Sequence, residues 1–380
     1  MKISSQANNI KPFLVMDILE KANQMAANGR DIIHLEVGEP DFDTPQCIRN
    51  AAINAMHEGK THYTHSQGIP ELREAICEHY KKTYAVDVEP EQVLVTAGSS
   101  GALLNAFVCL LGPGDEIIMS DPYYACYPNF AKALDAQPRL IPAGAVDLFQ
   151  MNPAKVKDAT TSSTKAIMIN SPANPTGVCL GEERLLALSD LGLPIISDEI
   201  YHGLVYEGPQ HCILEYTDNA IVINGFSKTY AMTGWRLGWA ILPKKLVRTA
   251  QKIQQNLMIC APSIAQWAGV AALRQAEDDV AHMHQVFSER RLVMLDQMQN
   301  YGLRVEVRPT GAFYVLVNMD HISKDSHSLA FDILKNTGVG ITPGIDFGQE
   351  AASYVRFSYA NSMDNIIEGI ARIAEYLKGL

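Results

Sequence analysis

Five short runs of β-branched and aliphatic residues constrain this chain more than any other feature: QVLVTAG (92–98), DEIIMSDP (115–122), KAIMINSP (165–172), LPIISDE (193–199) and AIVINGFS (220–227). Each is nearly continuous in its apolar character and stops abruptly at small, polar or proline residues. A strand with one face in water alternates, whereas one covered on both faces does not, so these runs suit the interior of a parallel sheet. The segments between them, such as GALLNAFVCLL (101–111) and ERLLALSDL (183–191), carry helical spacing. That alternation predicts an α/β fold, a three-layer arrangement with a mostly parallel sheet between helices.

Beyond Ala265 the texture changes. Residues 266–300 read as a long helical pattern with one break. Strand-like runs follow at LRVEVRP, AFYVLVNM and SYVRFSYA, then a last helix from Asp364 to Leu377. This is the pattern of a smaller α+β unit. The helical stretch VMDILEKANQMAANG precedes the sheet and is expected to join it. The expected division is therefore a large sheet domain over 46–285 and a small domain made of 1–45 with 286–380.

A net charge of -11 without a Lys/Arg-rich run argues against nucleic-acid or anionic-membrane surfaces. The seven cysteines are scattered and form no C-x-x-C pair, and the eleven histidines show no metal-ligand spacing. No stretch approaches a membrane span or a signal-peptide core. A cytoplasmic protein with no metal site is the expectation.

Ligands of open α/β sheets bind outside the carboxyl ends of the strands, so the residues at those ends matter most. After QVLVT comes Ala97-Gly98-Ser99-Ser100-Gly101, a turn of small residues opening a helix whose free N–H groups favour a phosphate. It matches neither the Rossmann nor the P-loop pattern. After IIMSDP come Tyr123 and Tyr124, faces on which a flat ring can stack. After IMIN comes SPANPTG with Asn174, and after LPIIS come Asp198, Glu199 and Tyr201. The last run ends in Ser227 and Lys228. Singly, each has an ordinary explanation: a tight turn, packing aromatics, a paired carboxylate. Together they describe a pocket for a flat, phosphorylated, aldehyde-bearing heteroaromatic cofactor, namely pyridoxal phosphate.

The motifs also resemble a family. GEPDFDTP (38–45), HYTHSQGIPELREAI (62–76), TAGSSGAL, DPYYACY, NSPANPTG, SDEIY, NGFSKTYAMTGWRLGW, TGAFYVL and YVRFSYA occur in the order of the class I/II aminotransferases, fold-type I pyridoxal-phosphate enzymes, over almost the whole length. The resemblance implies that Lys228 carries the cofactor as an aldimine and moves the reacting proton. Asp198 would keep the pyridine nitrogen protonated, and Asn174 and Tyr201 would bond the phenolic oxygen. Tyr124 would stack on the ring. Ser99, Ser100, Ser227 and Arg236 would hold the phosphate. Tyr63 would reach the phosphate of the partner subunit's cofactor, making the active unit a homodimer. Arg356 would grip the substrate carboxylate in a bidentate fork, with the backbone of Gly38 on the other side.

Two departures shape the expected activity. Gly225 stands where members often carry serine, so a phosphate contact is lost or is supplied by Ser227. Ser100 stands where some aspartate-specific members carry lysine. With the apolar PFLVM (12–16) this favours a neutral or hydrophobic amino donor over aspartate. The expectation is ping-pong transfer from such an L-amino acid to a 2-oxo acid such as 2-oxoglutarate. A β-eliminating carbon–sulfur lyase on the same fold would keep every residue named. A cofactor-sensing regulator would need an added DNA-binding domain, and only about forty residues precede the sheet.

Overall fold

The computed structural model describes residues 1–379. A short strand β1 (Ile33–His34) comes first. The seven that build the large sheet follow: β2 (Val93–Thr96), β3 (Glu116–Asp121), β4 (Gln137–Pro142), β5 (Thr164–Asn170), β6 (Ile195–Asp198), β7 (Ala220–Gly225) and β8 (Gly238–Ile241). Their order across the sheet is β2-β8-β7-β6-β5-β3-β4. Every residue of β2, β6, β7 and β8 is buried, which is why their sequences do not alternate. The five runs singled out in the sequence form β2, β3, β5, β6 and β7.

Two strands of the large sheet escaped the sequence reading, as did the two-residue strand β1. β4 contains two prolines and is half exposed; lacking two N–H groups, it is tolerated as an edge strand. β8, sequence GWAI, lies between β2 and β7 and runs antiparallel to both. Its reversal places its amino end, just after Arg236, level with the carboxyl ends of the parallel strands.

Three further strands form an antiparallel sheet in the order β11-β12-β9: β9 (Tyr314–Asn318), β11 (Thr342–Pro343) and β12 (Tyr354–Ser358), with β10 (Val339–Gly340) lying between β9 and β11 in the chain. β1 pairs in parallel with β10, and Ile18, Ile33 and Leu35 share one buried cluster with Val315, Val355 and Ile370, so the N-terminal segment packs on the C-terminal part. The run LRVEVRP is not a strand. It makes a single bridge, Arg304 to Asn318, on the outer edge of β9, and Pro309 ends the stretch. The long helical pattern divides at Ala276 into helices Ser263–Gln275 and Glu277–Asn300. The boundary expected near residue 285 therefore falls inside a continuous helix. No described helix is long and apolar enough to cross a membrane.

Candidate active site

A cavity of about 370 Å³ opens at the carboxyl edge of the large sheet. Ser99 and Ser100 reach it from the first turn of helix Gly98–Leu110. That helix starts at Ala97, which has no capping side chain, so its first N–H groups stay free for a ligand. Two close approaches build this corner. Gly98 has φ +75°, and a Cβ on it would lie 2.5 Å from the Arg236 guanidinium. A Cβ on Gly238, the first residue of β8, would lie 2.6 Å from the Ser99 nitrogen. Arg236 donates from Nη1 to the Thr233 carbonyl at 3.0 Å, and Ser227 lines the same side. A side chain at position 225 would meet the Leu237 carbonyl, Gly238 and Ile200 instead.

Asp198 closes the last turn of β6 and is buried. It accepts the Tyr127 hydroxyl at 2.7 Å and the Ile200 N–H at 3.2 Å. Burial pushes its carboxyl up to about 6, against the pull of those two bonds and the Lys228 charge. Its own carbonyl accepts from Asn170, whose Oδ1 accepts from the Asn174 N–H at 2.8 Å. The Asn174 Oδ1 in turn accepts from Arg356 at 2.8 Å. The peptide bond between Asn174 and Pro175 is cis.

Arg356 lies on β12 and is 2 % exposed. It also donates to the Glu36 carbonyl and to Thr342, lies 4.2 Å above the Tyr314 ring, and leaves its Nε without a partner. The Lys228 ammonium donates to the Gly38 carbonyl at 2.6 Å. Burial is the main reason that its pKa falls to about 8; Arg356 and Arg236 lower it further, while Glu39 and Asp198 oppose them. Tyr201 and Tyr314 share a 2.7 Å hydrogen bond between their hydroxyls. Tyr124 forms part of the wall, its ring edge-on to Phe13 and Tyr127.

The fold thus gathers Gly38, Ser99, Ser100, Tyr124, Asn174 and Asp198 with Tyr201, Ser227, Lys228, Arg236 and Arg356 around one cavity. Tyr63 does not line it and is 80 % exposed. Sequence reasoning missed Tyr127, Tyr314 and Asn170. Tyr127 lies one helical turn beyond Tyr124 in DPYYACY, and Asn170 is the last residue of an apolar strand, so both carried a readable signal. Tyr314 sits in a fully buried strand and carried none. His202, next to Tyr201, points away into a buried network in which Tyr84 lies 2.7 Å from its Nδ1.

Chemically, the site holds three cations, none of them hydrogen-bonded to a carboxylate. The hydrogen bonds of Lys228, Arg236 and Arg356 go to backbone carbonyls, an amide and a hydroxyl. A doubly charged phosphate beside Arg236, a carboxylate beside Arg356 and a protonated ring nitrogen facing Asp198 would each find its partner. These residues fit pyridoxal phosphate and an amino acid. Phe13, Val15, Met16 and Leu19, with Leu103, give the wall an apolar stretch, while Glu39 and Thr233 line it as well.

Fold and site together define a pyridoxal-phosphate transferase of fold type I. Residues 30–373 match the family model for aminotransferase class I and II. A (5-formylfuran-3-yl)methyl phosphate transaminase of Methanocaldococcus jannaschii is 42% identical over 99% of both chains. An aspartate aminotransferase of Pyrococcus horikoshii is 38% identical over 97% of this chain and 96% of its own, and a valine–pyruvate aminotransferase of Mycobacterium tuberculosis is 37% identical over 97% of each. Among solved structures, aspartate aminotransferase from Thermus thermophilus with maleate superposes with a TM-score of 0.94 at 36% identity, covering 99% of both chains. The chain belongs to the class I and II aminotransferases and is a pyridoxal-phosphate-dependent enzyme.

Proposed function

We propose that the enzyme moves an amino group from an L-amino acid with a neutral or hydrophobic side chain to a 2-oxo acid such as 2-oxoglutarate, both substrates using the same site in turn. Pyridoxal phosphate, when bound, supplies the carbonyl that takes the amino group and a ring that accepts the electron pair left by the departing α-proton. The remaining work falls to this chain. Lys228 holds the cofactor and, once displaced by substrate, takes the proton from the substrate α-carbon; a pKa near 8 suits an amine that must switch between forms. Asp198, kept in place by Tyr127, holds the ring nitrogen protonated. Asn174 and Tyr201 bond the phenolic oxygen, and Tyr124 covers a ring face. Ser99, Ser100, Ser227 and Arg236 hold the phosphate. Arg356 and the backbone of Gly38 orient the substrate carboxylate. Tyr63, exposed on its own chain, would complete the phosphate site of a partner subunit in a homodimer.

The observation that carries the donor preference is the wall of Phe13, Val15, Met16, Leu19 and Leu103, which offers no cation for a second carboxylate. Ser100, where aspartate-specific members of the family can carry lysine, adds none. The relatives named for valine and for aspartate are similarly distant, so the wall is the stronger guide. Two measurements test the reading. Borohydride reduction of the yellow protein should fix the cofactor on a peptide containing Lys228; a protein that cannot be loaded refutes the chemistry. A donor panel against 2-oxoglutarate and pyruvate should favour methionine, phenylalanine or alanine, and a strong preference for aspartate refutes the specificity.

A further inference from the structure

The apolar wall stands on helix Leu14–Ala27, and the start of that helix has an unusual support. Its N-cap residue is Phe13, which has no side chain able to accept a hydrogen bond. The first N–H groups of a helix need acceptors, and a missing cap leaves the first turn prone to fray. Here the acceptor comes from the far end of the chain. Asp346 receives the Leu14 N–H on Oδ1 at 3.1 Å and the Val15 N–H on Oδ2 at 3.3 Å. Both oxygens of one nearly buried carboxylate are thus committed to one helix start.

Asp346 is placed to set the position of the wall as well as to stabilise it. Its neighbour Phe347 lies under the Arg356 guanidinium at 4.9 Å, and the Phe347 carbonyl accepts the Tyr123 N–H at 2.9 Å. Two residues further on, the same loop is tied to the end of β3, where Asp121 accepts the N–H groups of Gln349 and Glu350 at 3.0 and 3.1 Å. One short loop therefore touches the carboxylate-binding arginine, the strand leading to Tyr124, and the helix carrying Phe13, Val15, Met16 and Leu19. Among the described residues, the only other side-chain hydrogen bonds joining residues 1–28 to the rest of the chain are exposed, between the Lys11 backbone and Asn129.

We propose that Asp346 is a positioning residue for the donor side chain, fixing the distance between the apolar wall and Arg356 and thereby the preference for apolar donors. The inference rests on the reading that this wall faces the donor side chain. Asp346→Ala should raise KM for methionine or phenylalanine by roughly threefold to tenfold, the range expected for a lost helix cap, with kcat changed less than about twofold. KM for alanine, too short to reach the wall, should move much less. Asp346→Asn keeps one acceptor and should recover most of the loss. Leu14→Pro removes one donor from the helix side; proline is tolerated at this first helical position, and Phe13 is already extended, as a residue before proline must be. It should reproduce the same KM split, and it serves if the alanine variant fails to fold.

Hydrogen exchange on the cofactor-loaded protein without substrate gives a readout free of turnover. Amides of residues 15–20 should exchange faster in Asp346→Ala and Leu14→Pro, with the sheet unchanged. Unchanged exchange there overturns the proposal whichever donor the enzyme takes. Faster exchange with an equal loss of kcat for every donor also overturns it, because Asp346 would then be a general structural support.

Discussion

Lys228 is tuned by what surrounds it. Burial and the charges of Arg356 and Arg236 hold its pKa near 8, so the amine becomes a base within reach of neutral pH. Removing a positive neighbour favours the ammonium and must raise that pKa. We therefore expect the rate at which the cofactor-free protein captures pyridoxal phosphate to be half-maximal near pH 8. In Arg236→Gln the midpoint should move to higher pH, besides the general slowing from weaker phosphate binding; an unmoved midpoint would show that Arg236 does not tune the lysine. Asp198 is governed by the opposite balance. Burial raises its carboxyl to about 6, and the Tyr127 hydroxyl, bonded to the charged form, holds it down. Tyr127→Phe removes that donor, so the carboxylate forms only at higher pH. The acid limb of the kcat profile should shift upward by about one pH unit, as expected for a lost hydrogen bond to a charged group.

At the scale of elements, the corner proposed to hold the phosphate depends on β8 running against its neighbours. Its amino end meets the helix start at Ser99 with only hydrogen atoms between Gly238 and the turn. Gly238→Ala would force a Cβ to within 2.6 Å of the Ser99 nitrogen, and both partners are backbone, so the turn itself must shift. We expect a loss of about 1–3 kcal/mol in stability from overpacking and a cofactor that dialyses away more than about tenfold faster. Gly234→Ala, with nothing within 4 Å of the added carbon, is the matched control and should retain the cofactor. The buried polar layer behind β6 is a separate element. Glu199 lies 3.3 Å from His202, yet burial pushes the acid up to about 7 and the imidazole down to about 3. Near neutrality the imidazole is therefore uncharged and the acid only partly protonated, and Glu199 Oε2 makes no hydrogen bond, so the contact is a close polar approach and not an ion pair.

For the whole molecule, the exposed Tyr63 makes assembly testable through activity. A homodimer in which Tyr63 serves the opposite site predicts complementation between two impaired variants. Mixed Lys228→Ala and Tyr63→Ala subunits place an intact lysine and a tyrosine donated across the interface in one of the two sites of each hybrid. Random reassociation should give about a quarter of the wild-type sites, each with wild-type cofactor affinity. Loss of cofactor affinity in Tyr63→Ala with no recovery on mixing would place Tyr63 in its own subunit's site. A monomeric protein would remove the basis for the test altogether.

Much of this protein was legible one residue at a time. Short apolar runs rich in β-branched residues and bounded by turn residues suit buried strands, and ligands of such sheets bind at the strand ends, so Asp198, Asn174, Ser227 and Lys228 could be named as candidates with no coordinates. Arg356 and Arg236 came with the family motifs. What sequence could not carry was direction and distance. GWAI has no pattern that tells a parallel strand from an antiparallel one, yet its reversal is what brings Arg236 against the helix start at Gly98. Tyr127 reaches Asp198 across 71 positions and Asp346 caps a helix 332 positions away. Such contacts depend on how layers stack, since a hydrogen bond is chosen by a few tenths of an ångström that no local propensity encodes. The candidate site was thus readable from residue types at strand ends, and the contacts that tune it came from packing that only the assembled fold supplies.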